Sequence, residues 1–454
     1  MIFRAEAYIM DAIERGVPMS KLLSLFMSLL TVIYSVCGVT VFVKAPEDRG
    51  DFKPVLRFIA ASDTHVQTYF DIESRRIQKM IRLGYAVADA DKEYDSLDAV
   101  LIAGDLTDNG RKDQYNAFAA AVDSGLRDGT RFLGVTAKAH DGGTMSRREV
   151  HEYYSALTGN TADFHEVING YHFIGLSASD DDGVHYDAGQ VAWLREQLEA
   201  AVAEDPLKPV FVMHHEHVRN TVYGSSDFEG WGESYFTGVL RDFPQVVDFS
   251  GHSHYPLNDP RSVWQGEFTA VGTGAIYYAE FTVDDARTVH PDGYKQVSTC
   301  WIVEVDADNR VRLRGMDVNA RELLCEYVLD DPADAANRPY TPEKRAAASR
   351  APVFADGAAV KTVQFAGNCD CRVPAAQSAD GMPVVLYRAA AYGKDGSLAA
   401  SAWTIPKYYV AGEEKTVTVR LEGLAKGEYE IRVVAETAYG VDSEPLVTTV
   451  KIVR

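Results

Sequence analysis

With 454 residues, 46% of them hydrophobic and 24% charged, the chain has material for two or three globular domains and an ample core. A formal net charge of −21 repels a phosphate backbone and excludes nucleic-acid binding through a general basic surface. Five cysteines without Cys-x-x-Cys or zinc-knuckle spacing exclude a disulfide framework, although a single Cys300–Cys325 bridge and free thiols are equally compatible with their placement.

The first predicted element is the apolar run 22–43, which carries no charge over 22 residues and is long enough to cross a bilayer at 1.5 Å per residue. No small-x-small cleavage site precedes Lys44, which favours an uncleaved membrane anchor over a signal peptide. Residues 1–51 are therefore read as an anchor or signal segment with a polar tether. The bulk of the chain, membrane-anchored or secreted, is expected outside the cytoplasm. Next come short apolar runs: VLRFIA (55–60), AVLIAG (99–104), FLGVTA (132–137), YHFIGLS (171–177), PVFVMH (209–214), VVDFSG (246–251) and FTAVGTG (268–274). Several are nearly continuous in apolar residues, as strands covered on both faces are. Helix-period patterns at 74–90, 113–122 and 188–203 alternate with them, which predicts an α/β domain over 52–330. Residues 331–352 are rich in Pro, Ala and charge and read as a linker. Short alternating strands with Gly and Asp turns over 353–454 predict an all-β, immunoglobulin-like sandwich. Its last stretch, LEGLAKGEYEIRVVAETAYGVDSEP, resembles the end of a fibronectin type III domain through Leu424, Tyr429, Val433, Ala435, Gly440 and Pro445. The sequence does not say what such a sandwich would bind.

The polar residues at strand ends carry the chemistry. The first strand runs into ASDTHV, which puts Asp63 and His65 two apart. The second ends GDLTDNG with Asp105, the fifth VMHHEHV with His214, and the sixth GHSH with His252 and His254. Ligands of open α/β sheets bind beyond the carboxyl ends of strands, so these side chains converge on one edge. Mixed carboxylate and imidazole donors without cysteine suit Fe, Mn or Zn. No Gly-x-Ser-x-Gly, Walker loop, Gly-x-Gly-x-x-Gly or His-Glu-x-x-His motif supports another enzyme class.

In their order, Asp63-x-His65, Gly104-Asp105, His140-Asp141, His214 and Gly251-His252-x-His254 resemble the calcineurin-like metallophosphoesterases. The wording SDTH…GDLTDNG is similar to the branch holding class III cyclic-nucleotide phosphodiesterases. It departs from purple acid phosphatases, because Asp108 stands in the region of their tyrosine ligand. The resemblance implies a layered β-sandwich flanked by helices and two divalent or trivalent ions. Asp63, His65 and His254 would hold one ion, His214 and His252 the other, and Asp105 would bridge them. It also implies hydrolysis of a small phosphomonoester or phosphodiester by hydroxide held on the metals, with His140 assisting the leaving group and Asp141 orienting His140. Asn109, Lys138 and His215 are the candidate substrate-binding residues. Where the family has an Asn ligand, this chain has Ala139, so the second site lacks one protein oxygen and is expected to bind more weakly. A water or substrate oxygen can take that place, Lys138 can lend its charge to the phosphate, or the protein is a surface-anchored binding module that keeps a metal site without turnover.

Overall fold

The computed structural model describes residues 52–179 and 185–453, so the predicted anchor at 22–43 lies outside the described residues. Among the described residues no helix is long and apolar enough to cross a membrane. The chain divides into two compact units. One runs to Arg338 apart from Asn258–Arg261, and the other holds those four residues with Pro339–Arg454.

The first unit begins with β1 (Pro54–Ala61), α1 (Ile72–Ala90), β2 (Ala99–Ala103), α2 (Lys112–Asp123), β3 (Arg131–Val135) and α3 (Arg147–Thr158). It continues with β4 (Phe164–Ile168), β5 (Tyr171–Gly175), α4 (Ala188–Glu204) and β6 (Val210–Met213). Two short strands, β7 (His217–Val218) and β8 (Gly232–Glu233), precede α5 (Thr237–Leu240) and β9 (Val246–Ser250). The strands β10 (Val263–Gln265), β11 (Thr269–Gly272), β12 (Phe281–Val283), β13 (Ala286–Val289), β14 (Thr299–Asp306), β15 (Val311–Asp317) and β16 (Glu322–Leu329) complete it.

These strands form two six-stranded sheets, in the orders β16-β15-β14-β1-β2-β3 and β10-β11-β9-β6-β5-β4. The strands β1, β2 and β3 run parallel in one, and β5, β6, β9 and β11 run parallel in the other. Strand alternation sends neighbouring residues to opposite faces. Phe58 meets Phe173, Phe211 and Phe249 of the second sheet edge to face, with centroids 4.8–5.9 Å apart. Its neighbour Ile59 instead joins Ile77, Met80, Ile81 and Phe118 in the core under α1 and α2. The second sheet packs Ile174, Val210 and Val212 against Leu194 and Leu198 of α4. The predicted α/β layering, two sheets face to face with helices outside, is thus present.

All seven predicted apolar runs are strands, and the three predicted helices are α1, α2 and α4. In the segment HEYYSALTG, Tyr154 is buried in the core and Tyr153 packs against it. The segment lies mostly in α3, which a Ser146–Glu149 capping box starts and Gly159 ends in the left-handed conformation. The possible Cys300–Cys325 bridge is not formed, as neither cysteine is in a disulfide.

The second unit holds α6 (Pro342–Ala348) within the segment read as a linker, capped by Thr341. Seven strands follow: β17 (Lys361–Phe365), β18 (Asn368–Pro374), β19 (Val384–Tyr392), β20 (Leu398–Thr404), β21 (Thr416–Leu421), β22 (Gly427–Thr437) and β23 (Leu446–Ile452). They make sheets β17-β18-β21 and β20-β19-β22-β23 around one core, in which Cys371, Val419 and Leu421 face Tyr387, Ile431 and Val433.

Candidate metal centre

Because β1, β2, β3, β6, β9 and β11 point the same way within their sheets, their carboxyl ends supply the site. The turn after β1 carries Asp63 and His65, the turn after β2 carries Asp105, and that after β3 carries His140. Beyond β6 and β9 stand His215, His252 and His254. Asp63, His65, Asp105 and His254 bring ligand atoms within 4.8 Å of one another, and Asp105, His215 and His252 form a second such set. In the first, His254 Nε2 lies 3.1 Å from Asp63 Oδ1 and 3.1 Å from His65 Nε2. In the second, His215 Nε2 lies 3.1 Å from His252 Nδ1. Asp105 Oδ2 stands between the sets, 3.6 Å from His65 Nε2 and 3.3 Å from His215 Nε2.

Local backbone geometry builds this convergence. Asp63, His65, Asp105, His252 and His254 all adopt positive φ, between 45° and 73°. Such conformations cost about 1–3 kcal/mol each and persist where surrounding structure imposes them. The two Gly-acceptor pairs have a steric cause. A Cβ on Gly104 would sit 2.5 Å from His215 Nδ1, and one on Gly251 would sit 2.5 Å from Asp63 Oδ2. Glycine at these positions lets the second sheet's histidines and the first sheet's aspartates reach a common point.

The donors fit a cation. Asp63 Oδ1 and Asp105 Oδ1 are buried acceptors without a hydrogen-bond partner, which is costly unless a positive charge joins them. His215 Nδ1 meets the Ala103 carbonyl at 2.8 Å, which fixes its tautomer and turns the Nε2 lone pair into the cluster. Burial is the main force that depresses His65 to about 3 and His252 to about 4, leaving neutral imidazoles, the form that binds metal. Burial alone would raise Asp63, but His254 outweighs it and holds the carboxyl well below the usual range. Burial would likewise raise Asp105, yet His215 brings it down to about 2. For His215 and His254 burial works against the charge, but Asp105 and Asp63 overcome it and raise both. The same carboxylate field that favours those protons favours a cation in their place.

Several predicted roles change. His214 is not in the cluster: its Nε2 lies 3.0 Å from the buried Asp248 Oδ1, on the side facing Phe236. One residue on, the chain has left β6 and His215 faces the opposite way, so the cluster takes in His215 and His214 is buried against Asp248. Asp141 does not orient His140. Its oxygens accept from the amides of Leu106, Thr107 and Ala137, fastening the turn after β2 to the turn after β3. The Asp108 carbonyl orients His140 instead, 2.8 Å from Nδ1. Asn109 is exposed, and its amide donates to the Asp108 carboxylate. Lys138 is half-buried, close enough for its charge to oppose that of His185, and its carbonyl accepts from Arg147. Ala139 is exposed, and its methyl side chain carries no donor.

Aromatic rings line the site. Tyr278 lies 4.2 Å from His254 and Tyr277 5.4 Å from His65, ring centre to ring centre. Trp231 meets His252 edge to face at 5.0 Å. The two tyrosines follow β11, a parallel neighbour of β9, so the strand-end rule that located the histidines also reaches them.

Residues 56–256 match the model of the calcineurin-like phosphoesterase family, a stretch that includes every member of both donor sets. The chain therefore carries a calcineurin-like phosphoesterase domain. Among solved structures it is similar to a purple acid phosphatase from yellow lupin (Lupinus luteus) seeds, at 13% identity and a TM-score of 0.43 over 60% of this chain and 53% of that one. The matched part thus spans about half the lupin protein. It is also similar to GAP50, the anchor in the inner membrane complex of Plasmodium, at 12% identity and a TM-score of 0.41, covering 61% of this chain and 89% of that one. A third similar structure is PhoD, at 12% identity and a TM-score of 0.34, covering 62% and 69%. No curated protein matches the chain.

Proposed function

We propose that this chain is a metal-dependent phosphoesterase acting on a small phosphomonoester or phosphodiester. The observation that supports it most is the pair of donor sets sharing Asp105, buried except for the half-buried His252, with two carboxylate oxygens left without hydrogen bonds. Asp63, His65 and His254 would hold one ion, His215 and His252 the second, and Asp105 both. When bound, two such ions polarise a phosphoryl oxygen and acidify water near neutral pH. The remaining work falls to the protein. His140, its Nδ1 fixed on the Asp108 carbonyl, turns Nε2 to the cleft and gives a proton or hydrogen bond to the leaving oxygen. The rings of Tyr277, Tyr278 and Trp231 pack on the ligand imidazoles and limit water around them. Lys138 at the rim adds positive charge for the phosphate.

The seven-stranded unit is proposed to be a fibronectin type III-like module. Tyr429 supports that reading by donating from its hydroxyl to the Ala425 carbonyl, as the corner tyrosine of such sandwiches does. With residues 22–43 as an anchor, the enzyme would be held at a membrane, outside the cytoplasm. A weakened binding protein remains the second reading, favoured by the missing oxygen at Ala139.

Turnover of bis(p-nitrophenyl) phosphate and p-nitrophenyl phosphate by manganese-loaded protein separates the two. Chelator-sensitive turnover with about two ions per chain supports the enzyme. Two ions without turnover of either ester leaves the binding reading, and no bound ion sinks both. His140→Ala is expected to lower kcat by about 10²–10⁴-fold, and by more for an alkyl than for a nitrophenyl leaving group.

A further inference from the structure

A third group of candidate ligands shares His65 with the inner cluster. Ligand atoms of His65, Asp108 and His140 lie within 4.8 Å of one another. Asp108 and His140 stand on the turns after β2 and β3 and are only half-buried, whereas Asp63, Asp105 and His254 are fully buried. The bond from His140 to the Asp108 carbonyl occupies Nδ1 and leaves Nε2 available. One Asp108 oxygen, Oδ2, accepts from Asn109, which leaves Oδ1. A second observation points to a ligand here: His65 Nδ1 is buried without a hydrogen-bond partner, in a ring that meets His140 edge to face at 4.5 Å.

We propose that Asp108 and His140, beside His65, form an outer cation site at the cleft mouth, and that a divalent ion held there inhibits the enzyme. This rests on the reading of His140 above, since an ion bound at Nε2 displaces the proton which that nitrogen gives to the leaving oxygen. One carboxylate oxygen and one imidazole nitrogen make a weak mixed site of the kind zinc occupies. The inner sets offer four and three protein donors and fill first. The outer site fills only in excess metal, so activity rises and then falls as zinc is added.

Calorimetric titration of the metal-free full chain with Zn²⁺ tests this directly. The expected result is a third, weaker class of site in the wild type that is missing from Asp108→Asn, with the two tighter classes kept in both. With bis(p-nitrophenyl) phosphate, the zinc concentration that halves activity should rise at least tenfold in Asp108→Asn. Asp108→Ser serves as a second variant should the first fold poorly. Equal ion counts and equal zinc sensitivity in wild type and variants would overturn the proposal. If the wild type turns over no phosphoester, the reading of His140 fails, and the calorimetric count alone decides whether the outer site exists.

Discussion

His214 and His215 are adjacent, yet one pairs with Asp248 and the other faces Asp105. Their variants should therefore fail in different ways. His215→Gln is expected to reduce bound metal from two ions per chain to about one and to abolish most turnover. His214→Gln should keep both ions but lose about 3–5 kcal/mol of stability, because Asp248 is left buried and uncompensated. Metal analysis with urea unfolding of the two variants checks this, and metal loss confined to His214→Gln would refute the assignment. At Ala139 the expectation runs the other way. Ala139→Asn restores an oxygen at an exposed position and should tighten the second metal by about tenfold or more. An unchanged second dissociation constant would show that the position is not limiting. Sequence reading found Asp63, Asp105 and His252 because each sits at a strand end in a short motif. It could not choose within His214-His215, since one residue of strand extension decides which face each side chain takes.

Among the elements, β1, β14 and β15 carry a buried charge cluster away from the metal edge. Glu304 accepts from Arg57, Arg312 and Arg314, with nitrogen–oxygen distances of 2.6–2.8 Å. Burial would raise the Glu304 carboxyl, but Arg314, Arg312 and Arg57 outweigh it and hold it below the ordinary value. A carboxyl depressed in the folded state adds stability above the unfolded value of about 4.3 and loses it as pH falls through the folded value. Glu304→Gln is expected to cost about 3–5 kcal/mol at pH 7, because three guanidinium groups lose their shared counter-charge. The difference from wild type should shrink below about pH 4, which urea midpoints measured across pH would reveal. The pairing of Arg57 with Glu304 spans 247 residues and left no local mark on the sequence.

At the level of the molecule, bound ions should stabilise what they complete. The positive φ values and unpartnered carboxylate oxygens of the cluster are costs that a cation offsets on binding. Metal at a hundred times its dissociation constant adds about 2.7 kcal/mol. For a unit of nearly three hundred residues this corresponds to about 4–5 °C in the thermal midpoint. Differential scanning calorimetry with and without chelator reads the shift, and no shift would mean that the cluster folds without regard to metal. The C-terminal sandwich buries its own core and is expected to unfold cooperatively as an isolated fragment of residues 350–453, as circular dichroism would show.

The sequence by itself determined the α/β layering, the all-β second unit and the edge at which donors gather. Apolar periodicity reports which faces are covered, and polar residues break it at strand ends. Only the tertiary structure decided which donors meet. It put His215 rather than His214 beside Asp105, gave His140 to the Asp108 carbonyl and brought Tyr277, Tyr278 and Trp231 onto the imidazoles of the cluster. Those choices turn on positive φ values and on close approaches at Gly104 and Gly251 between two sheets that no local pattern relates.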